Sequence, residues 1–183
     1  AAVNALKLFF NPRAVAVIGA SRKRGTIGGE IFHNLLSYGF QGPVYPVNPT
    51  TDMVQSVPAY ASVEAAPGPV DLALIVVPAA QVVEAAAACG RKGVKALVVI
   101  SAGFSETGKE GQARQAGLLS VCRAQGMRLI GPNCMGIYCP ESGFSFCSDF
   151  PREKGNVGAI VQSGGSSTDI IKFGALRGLR FSK

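Results

Sequence analysis

The sequence contains no tryptophan, a single histidine (His33), and no Cys-x-x-Cys pair among its five cysteines, Cys89, Cys122, Cys134, Cys139 and Cys147. A lone histidine without a surrounding cluster of cysteines or carboxylates argues against a metal centre. An odd cysteine count without paired spacing argues against a disulfide framework and fits reduced thiols in the cytoplasm. No run approaches the ~20 apolar residues needed to cross a bilayer, so no membrane association is expected. The opening AAVNALKLFF is broken by Asn11-Pro12-Arg13 and lacks the basic flank and clean apolar core of a signal peptide. Acids are scarce: 11 Asp and Glu against 18 Lys and Arg leave a net charge of +7. That balance favours an anionic partner. The bases cluster at Arg22-Lys23-Arg24 and at Arg91, Lys92 and Lys95, but aromatics do not interleave with them as on a nucleic-acid surface.

What is present is apolar and glycine-rich: 183 residues, 48% hydrophobic, with 23 glycines. A chain of this length buries roughly 70% of its unfolded surface and needs no metal or disulfide staple. Short apolar runs alternate with helical stretches. Strands are expected at Ala14–Ile18, Val44–Val47, Asp71–Val77, Lys95–Ile100 and Met127–Ile130, the second near an edge because of Pro46. Helices are expected between them. In Ile27–Tyr38 the residues Ile27, Ile31, Leu35 and Tyr38 share one face, and Gly39 ends the pattern. Ala79–Cys89 gives a second helix, and a third opens at the capping-box spacing Thr107-x-x-Glu110. Buried strands separated by helices form right-handed parallel βαβ units, so the fold class is α/β, a doubly wound parallel sheet.

Residues 131–155 change character: they are rich in turn formers and read as a connector. After them, Val157–Val161 is expected as a strand and Thr168–Leu176 as a helix, the start of a second α/β unit that stops at Lys183 before it could close a core.

The stretch AVAVIGASRKRGTIGGEIF, Ala14 to Phe32, is built to leave a strand, hold an anion and begin a helix. Helix-start N–H groups and the positive dipole end attract phosphate, Ser21 adds a hydroxyl, and Arg22, Lys23 and Arg24 add charge. A plain glycine-rich turn without a ligand uses the same residues. A nicotinamide dinucleotide fits less well. Gly19 through Gly25 is not Gly-x-Gly-x-x-Gly, and Asn48-Pro49 stand where a ribose-binding acid belongs.

YPVNP (Tyr45–Pro49), VVP (Val76–Pro78), SAGFSE (Ser101–Glu106) and GPNCMG (Gly131–Gly136) end strands at the same sheet edge. The ordered set GAS, PVNP, DLALIVVP, SAGFSE, GPNC and QSG resembles the CoA-binding domain of NDP-forming acyl-CoA synthetases, a family related to the α subunit of succinyl-CoA synthetase. The resemblance covers residues 6–183. It implies a Rossmann-like CoA-binding domain at 1–130, the connector at 131–155, and the beginning of a flavodoxin-like domain at 156–183.

By this resemblance, Gly19, Ala20, Ser21 and Arg22, with Gly28 behind them, take the ADP end of coenzyme A. Val47, Asn48 and Pro49 lie near the adenosine, Val77 and Pro78 line the channel, and Ser101, Ala102 and Gly103 follow the pantetheine arm. Asn133 and Cys134 meet the thiol end. As a nucleophile Cys134 is less convincing than as a small buried residue, because nothing near it in sequence would lower its pKa. Ser163, Gly164 and Gly165 resemble the cradle for the phosphate of a phosphohistidine, though an ordinary serine-rich helix cap has the same composition. The family's histidine lies further along the second domain, and His33 sits on a different motif, as a surface or packing residue. No catalytic residue is therefore expected in this chain. The resemblance further implies that ATP, ADP and magnesium bind in other domains or a β-type subunit, and it is compatible with self-association. A CoA-sensing module, of the kind fused to some lysine acetyltransferases or standing alone, is the alternative.

Overall fold

Apolar runs too short for helices and buried on both faces become the strands of one sheet. A computed structural model describes residues 2–183, with side chains from Leu6 onward, so Ala1 of the expected first domain lies outside the described residues. The strands are β1 (Val15–Ile18), β2 (Val44–Val47), β3 (Met53–Val54), β4 (Val57–Pro58), β5 (Leu72–Ile75), β6 (Ala96–Val99) and β7 (Arg128–Ile130). The helices are α1 (Ala2–Phe10), α2 (Ile27–Tyr38), α3 (Ala79–Lys92), α4 (Lys109–Ala124) and α5 (Gly164–Leu176).

Five strands pair in parallel in the order β2-β1-β5-β6-β7, while β3 and β4 form a small antiparallel hairpin. β2 is at the edge, as expected of a strand containing proline. Tyr60 donates to the Pro46 carbonyl from outside the sheet at 2.9 Å. Pro46 thus directs its missing donor outward, where the β1 ladder does not need it.

Alternate residues along each strand divide the core in two. Val15, Val17, Leu72, Leu74, Ala96 and Val98 face Phe9, Ile31, Phe32 and Leu35 of α1 and α2. Ala16, Ile18, Ala73, Ile75, Leu97 and Val99 face Val82, Ala86, Leu118 and Cys122 of α3 and α4. This is the doubly wound arrangement, helices covering both faces of a parallel sheet. β5 and β6 are buried along their whole length, and each large side chain so buried contributes about 1.5–3 kcal/mol.

The opening segment forms helix α1, and its Phe9 is 1% exposed in the core. Three expectations need correction. Ile27 does not share the buried face of α2: it is 63% exposed. The capping box at Thr107 does not form. Thr107 closes a short 3-10 turn by donating to the Phe104 carbonyl, and Glu110 pairs with Arg114, so α4 begins from Gly108. Val157–Val161 makes no ladder, only a single parallel bridge from Val157 to Phe181. Its backbone partner is the short segment 180–183: Ser182 N–H donates to the Val157 carbonyl at 2.7 Å and Ala159 N–H to the Lys183 carbonyl at 2.9 Å, without extending into a ladder.

The connector is not a loose linker. Tyr138, Phe150, Ile171 and Phe181 form a third buried cluster with Tyr38 of α2, so the connector and α5 pack against each other and against α2.

Candidate functional site

Counted within the large sheet, the strand order is 2-1-3-4-5, which reverses direction between β1 and β5. Ligand crevices in such sheets open beyond the carboxyl ends of the strands at that reversal. Gly19 follows β1 and Val76-Val77-Pro78 follow β5, so both expected segments flank it. They touch. A Cβ on Gly19, at φ +94°, would meet the Val76 carbonyl at 3.1 Å, and one on Gly28 would collide with the Gly19 carbonyl. Glycine at both positions lets the helix start approach the strand end closely.

The turn between them is braced from within. Thr26 caps α2, accepting from Gly29 N–H at 3.2 Å and donating to the Lys23 carbonyl at 2.8 Å. Ser21 Oγ accepts from Lys23 N–H at 3.1 Å, which leaves its own O–H available to an anion. The N–H groups of Ile27 and Gly28 belong to the first helical turn and have no intrahelical acceptor. Among the described residues, Arg22 and Lys23 make no ion pair. The turn therefore presents a hydroxyl, backbone donors and two free positive charges on one exposed edge.

Asn48 reaches this turn from β2: its Nδ2 donates to the Ala20 carbonyl at 2.8 Å. Its Oδ1 accepts from both the N–H and the hydroxyl of Thr50, at 2.9 and 2.8 Å. The residue standing where a dinucleotide-binding acid would be thus fastens β2 to the glycine turn. Val47 is buried beside it and Pro49 is exposed.

Farther along the edge, Ser101 Oγ donates to the Val77 carbonyl at 2.5 Å and ties the loop after β6 to the one after β5. Asn133 N–H donates to the Ser101 carbonyl at 3.0 Å, which brings in the loop after β7. Gly103 N–H is engaged within its own loop, donating to Glu106 at 2.6 Å. The Gly103 and Phe104 N–H groups hold the Glu106 carboxyl below the usual carboxylate range. Cys134 donates its thiol to the Val99 carbonyl at 3.3 Å, and burial pushes that thiol up. It is poorly disposed to act as a thiolate.

These loops open into a cavity of about 660 Å³, with Ser101, Ala102, Asn133, Cys134, Gly164 and Gly165 on its walls. Six of the expected site residues, from three separate motifs, therefore share one space. Gly19–Arg22, Asn48, Pro49, Val77, Pro78 and Gly103 lie outside it, along the adjoining edge. Apolar side chains line most of the cavity, among them Ile27, Ile100, Met135, Ile137 and Ile160. Ser163 caps α5 by accepting from Ser166 N–H at 3.2 Å, and Ser167 and Thr168 donate to the Gly164 carbonyl. A Cβ on Gly164 would collide with Met135, so α5 begins directly on the loop after β7. His33 is elsewhere: its Nδ1 faces Gln55 of the β3–β4 hairpin at 3.2 Å.

Sequence reasoning missed Ile27 and Met135 as cavity walls and Asn48 as a strut. Asn48 had no legible signal, because its partners are distant in sequence. Thr26 did have one, an N-cap type before a periodic apolar run.

A sequence profile described as "CoA binding domain" matches residues 13–140. The chain belongs to that family. Among curated relatives of this CoA-binding domain, the α subunit of the Pyrococcus furiosus "Acetate--CoA ligase [ADP-forming] II" is 46% identical over 97% of the chain. A crystal structure of a Pyrococcus horikoshii protein superposes with a TM-score of 0.91 at 44% identity, covering 97% of this chain and 40% of that one. The Ca. Korarchaeum cryptofilum "dinucleotide forming Acetyl-coenzyme A synthetase 1 in complex with phosphate and ADP" gives 0.89 at 38% identity, covering 97% and 38%. The chain spans 39% of the Pyrococcus furiosus subunit.

Proposed function

We propose that this chain is the CoA-binding portion of an NDP-forming acyl-CoA synthetase, which joins an acid to coenzyme A at the expense of ATP and yields acyl-CoA, ADP and phosphate. In this reading residues 1–130 form the CoA-binding domain, 131–155 a packed connector and 156–183 the start of a second domain. The acyl group passes through an acyl phosphate. The phosphoryl group passes through a histidine outside this chain, and ATP and magnesium bind in further domains or a partner subunit. The free thiols fit a cytoplasmic enzyme.

The observation that carries the reading is the 46% identity to an ADP-forming ligase subunit over nearly the whole chain. The geometry supports the assignment of parts. A diphosphate needs backbone donors and bases, which the Gly19–Arg22 turn offers next to Gly28, with Asn48 and Pro49 alongside for the adenosine. An amide-bearing arm needs apolar surface with scattered polar partners, and in this reading it would pass Val77, Pro78 and Ser101 toward Gly103. Its thiol would end in the cavity beside Asn133 and Cys134, facing the donors of Ser163, Gly164 and Gly165 that would receive phosphate.

Incubation with γ-labelled ATP tests the division of labour. This chain alone is expected to take up no label, and the reconstituted enzyme to form an acid-labile phosphohistidine outside it. Label on His33 would overturn the assignment.

A further inference from the structure

The three consecutive bases of the glycine turn are not equivalent. Arg22 and Lys23 are free of ion pairs among the described residues, whereas Arg24 is gripped by Glu30 through a two-bond fork, Nε to Oε1 at 2.8 Å and Nη2 to Oε2 at 2.9 Å. The same Oε1 accepts from Gly25 N–H at 2.7 Å. Gly25 stands at φ +84°, and nothing lies within 4 Å of where its Cβ would be. Gly25 thus borders open space on that side, and its N–H bond to the carboxylate ties it to α2. Glu30 is itself fixed within the first helical turn, its N–H donating to the Thr26 carbonyl at 2.9 Å.

We infer that Glu30 is a positioning residue for the diphosphate site: it locks Gly25 and turns Arg24 into a strut, leaving Ser21, Arg22, Lys23 and the Ile27 and Gly28 N–H groups to face the ligand. This inference rests on the CoA-binding reading above. A carboxylate is an unexpected neighbour for a polyanion site, because its charge opposes the ligand's. The fork with Arg24 cancels that charge locally, so the turn gains rigidity at no electrostatic cost to the two free bases.

Calorimetric titration of the whole chain with coenzyme A, on the parent protein, Glu30→Gln, Arg24→Ala and the double variant, tests the assignment. Each single change is expected to weaken CoA about tenfold, the size of one charge-assisted hydrogen bond. The double variant should be no weaker than the worse single one, because both changes break one device. Tighter or unchanged CoA binding in Glu30→Gln, or additive losses in the double variant, would overturn the inference. A second readout needs no ligand: the Gly25 amide should exchange with solvent faster in Glu30→Gln than in the parent. Equal exchange rates would overturn the strut even if the parent fails to bind CoA, a failure that would count against the proposed function instead.

Discussion

Two helices in this chain begin at sheet-edge loops with serine, glycine and open backbone donors, yet their surroundings differ. The start of α2 is over-determined: Thr26 caps it, Glu30 locks Gly25, Asn48 holds Ala20, and Gly28 is pressed against the Gly19 carbonyl. Two unpaired bases stand beside it. The start of α5 has the cap of Ser163 and the bonds from Ser167 and Thr168, no base in its first turn, and open space around Gly165. The same backbone device is thus cationic and tied by three side chains in one place, and in the other neutral, with Gly164 pressed on Met135 and Gly165 in open space. In the proposed reading the first takes the diphosphate and the second the phosphate.

The largest effect should come from the tightest contact. Gly28→Ala puts a methyl group into the Gly19 carbonyl, which forces the helix off the strand end. A loss of about 1–3 kcal/mol is expected, together with abolished CoA binding. Thermal melting and calorimetry would check it, and an unchanged melting temperature would show that the two segments are less closely joined than described.

Next, Ser21→Ala with Arg22→Ala should weaken CoA by at least about a hundredfold, each lost partner of a charged ligand costing about 1.5–3 kcal/mol. The melting temperature should barely move, because neither side chain packs in the core. If stability falls while affinity holds, these residues brace the turn rather than bind.

Acid should loosen the first helix start before the second. The Arg24 fork and Gly25 N–H pull the Glu30 carboxyl down to about 2, and Arg13 lowers Asp71 at the opposite end of the sheet. A carboxyl whose pKa is depressed by folding stabilises the fold above its ordinary value and loses that contribution as pH falls through the folded one. Stability measured by denaturant titration should therefore decline between about pH 4.5 and 2. The decline should be shallower in Glu30→Gln.

The smallest effect belongs to α5. Gly165→Ala meets nothing and removes backbone freedom from the unfolded chain, so it should be neutral or stabilising by about 0.5–1 kcal/mol. Destabilisation there would mean that the second helix start is as tightly built as the first.

The fold was legible wherever burial alone decides the outcome. VAVI, LALI and ALVV are apolar on both faces and can only be central strands. The glycine turn was legible because positive φ and close approach leave few alternatives to glycine. What stayed hidden depends on partners remote in sequence. Asn48 looks like a missing acid until Ala20 is seen beside it, and Ile27 fits the helical period of a buried face although it opens onto the cavity. Val157–Val161 has a strand's composition without a neighbouring strand. The Glu30 fork spans only five and six residues, but nothing in the residue types says that Arg24 rather than Arg22 turns back to it.

The account stands on the first turn holding a diphosphate whose tail runs along the strand ends toward α5. A crystal structure of this chain soaked with coenzyme A measures that directly. It should show the pyrophosphate against the Ser21, Ile27 and Gly28 donors and the thiol in the cavity near Asn133. Coenzyme A seated elsewhere, with that turn empty, would contradict it.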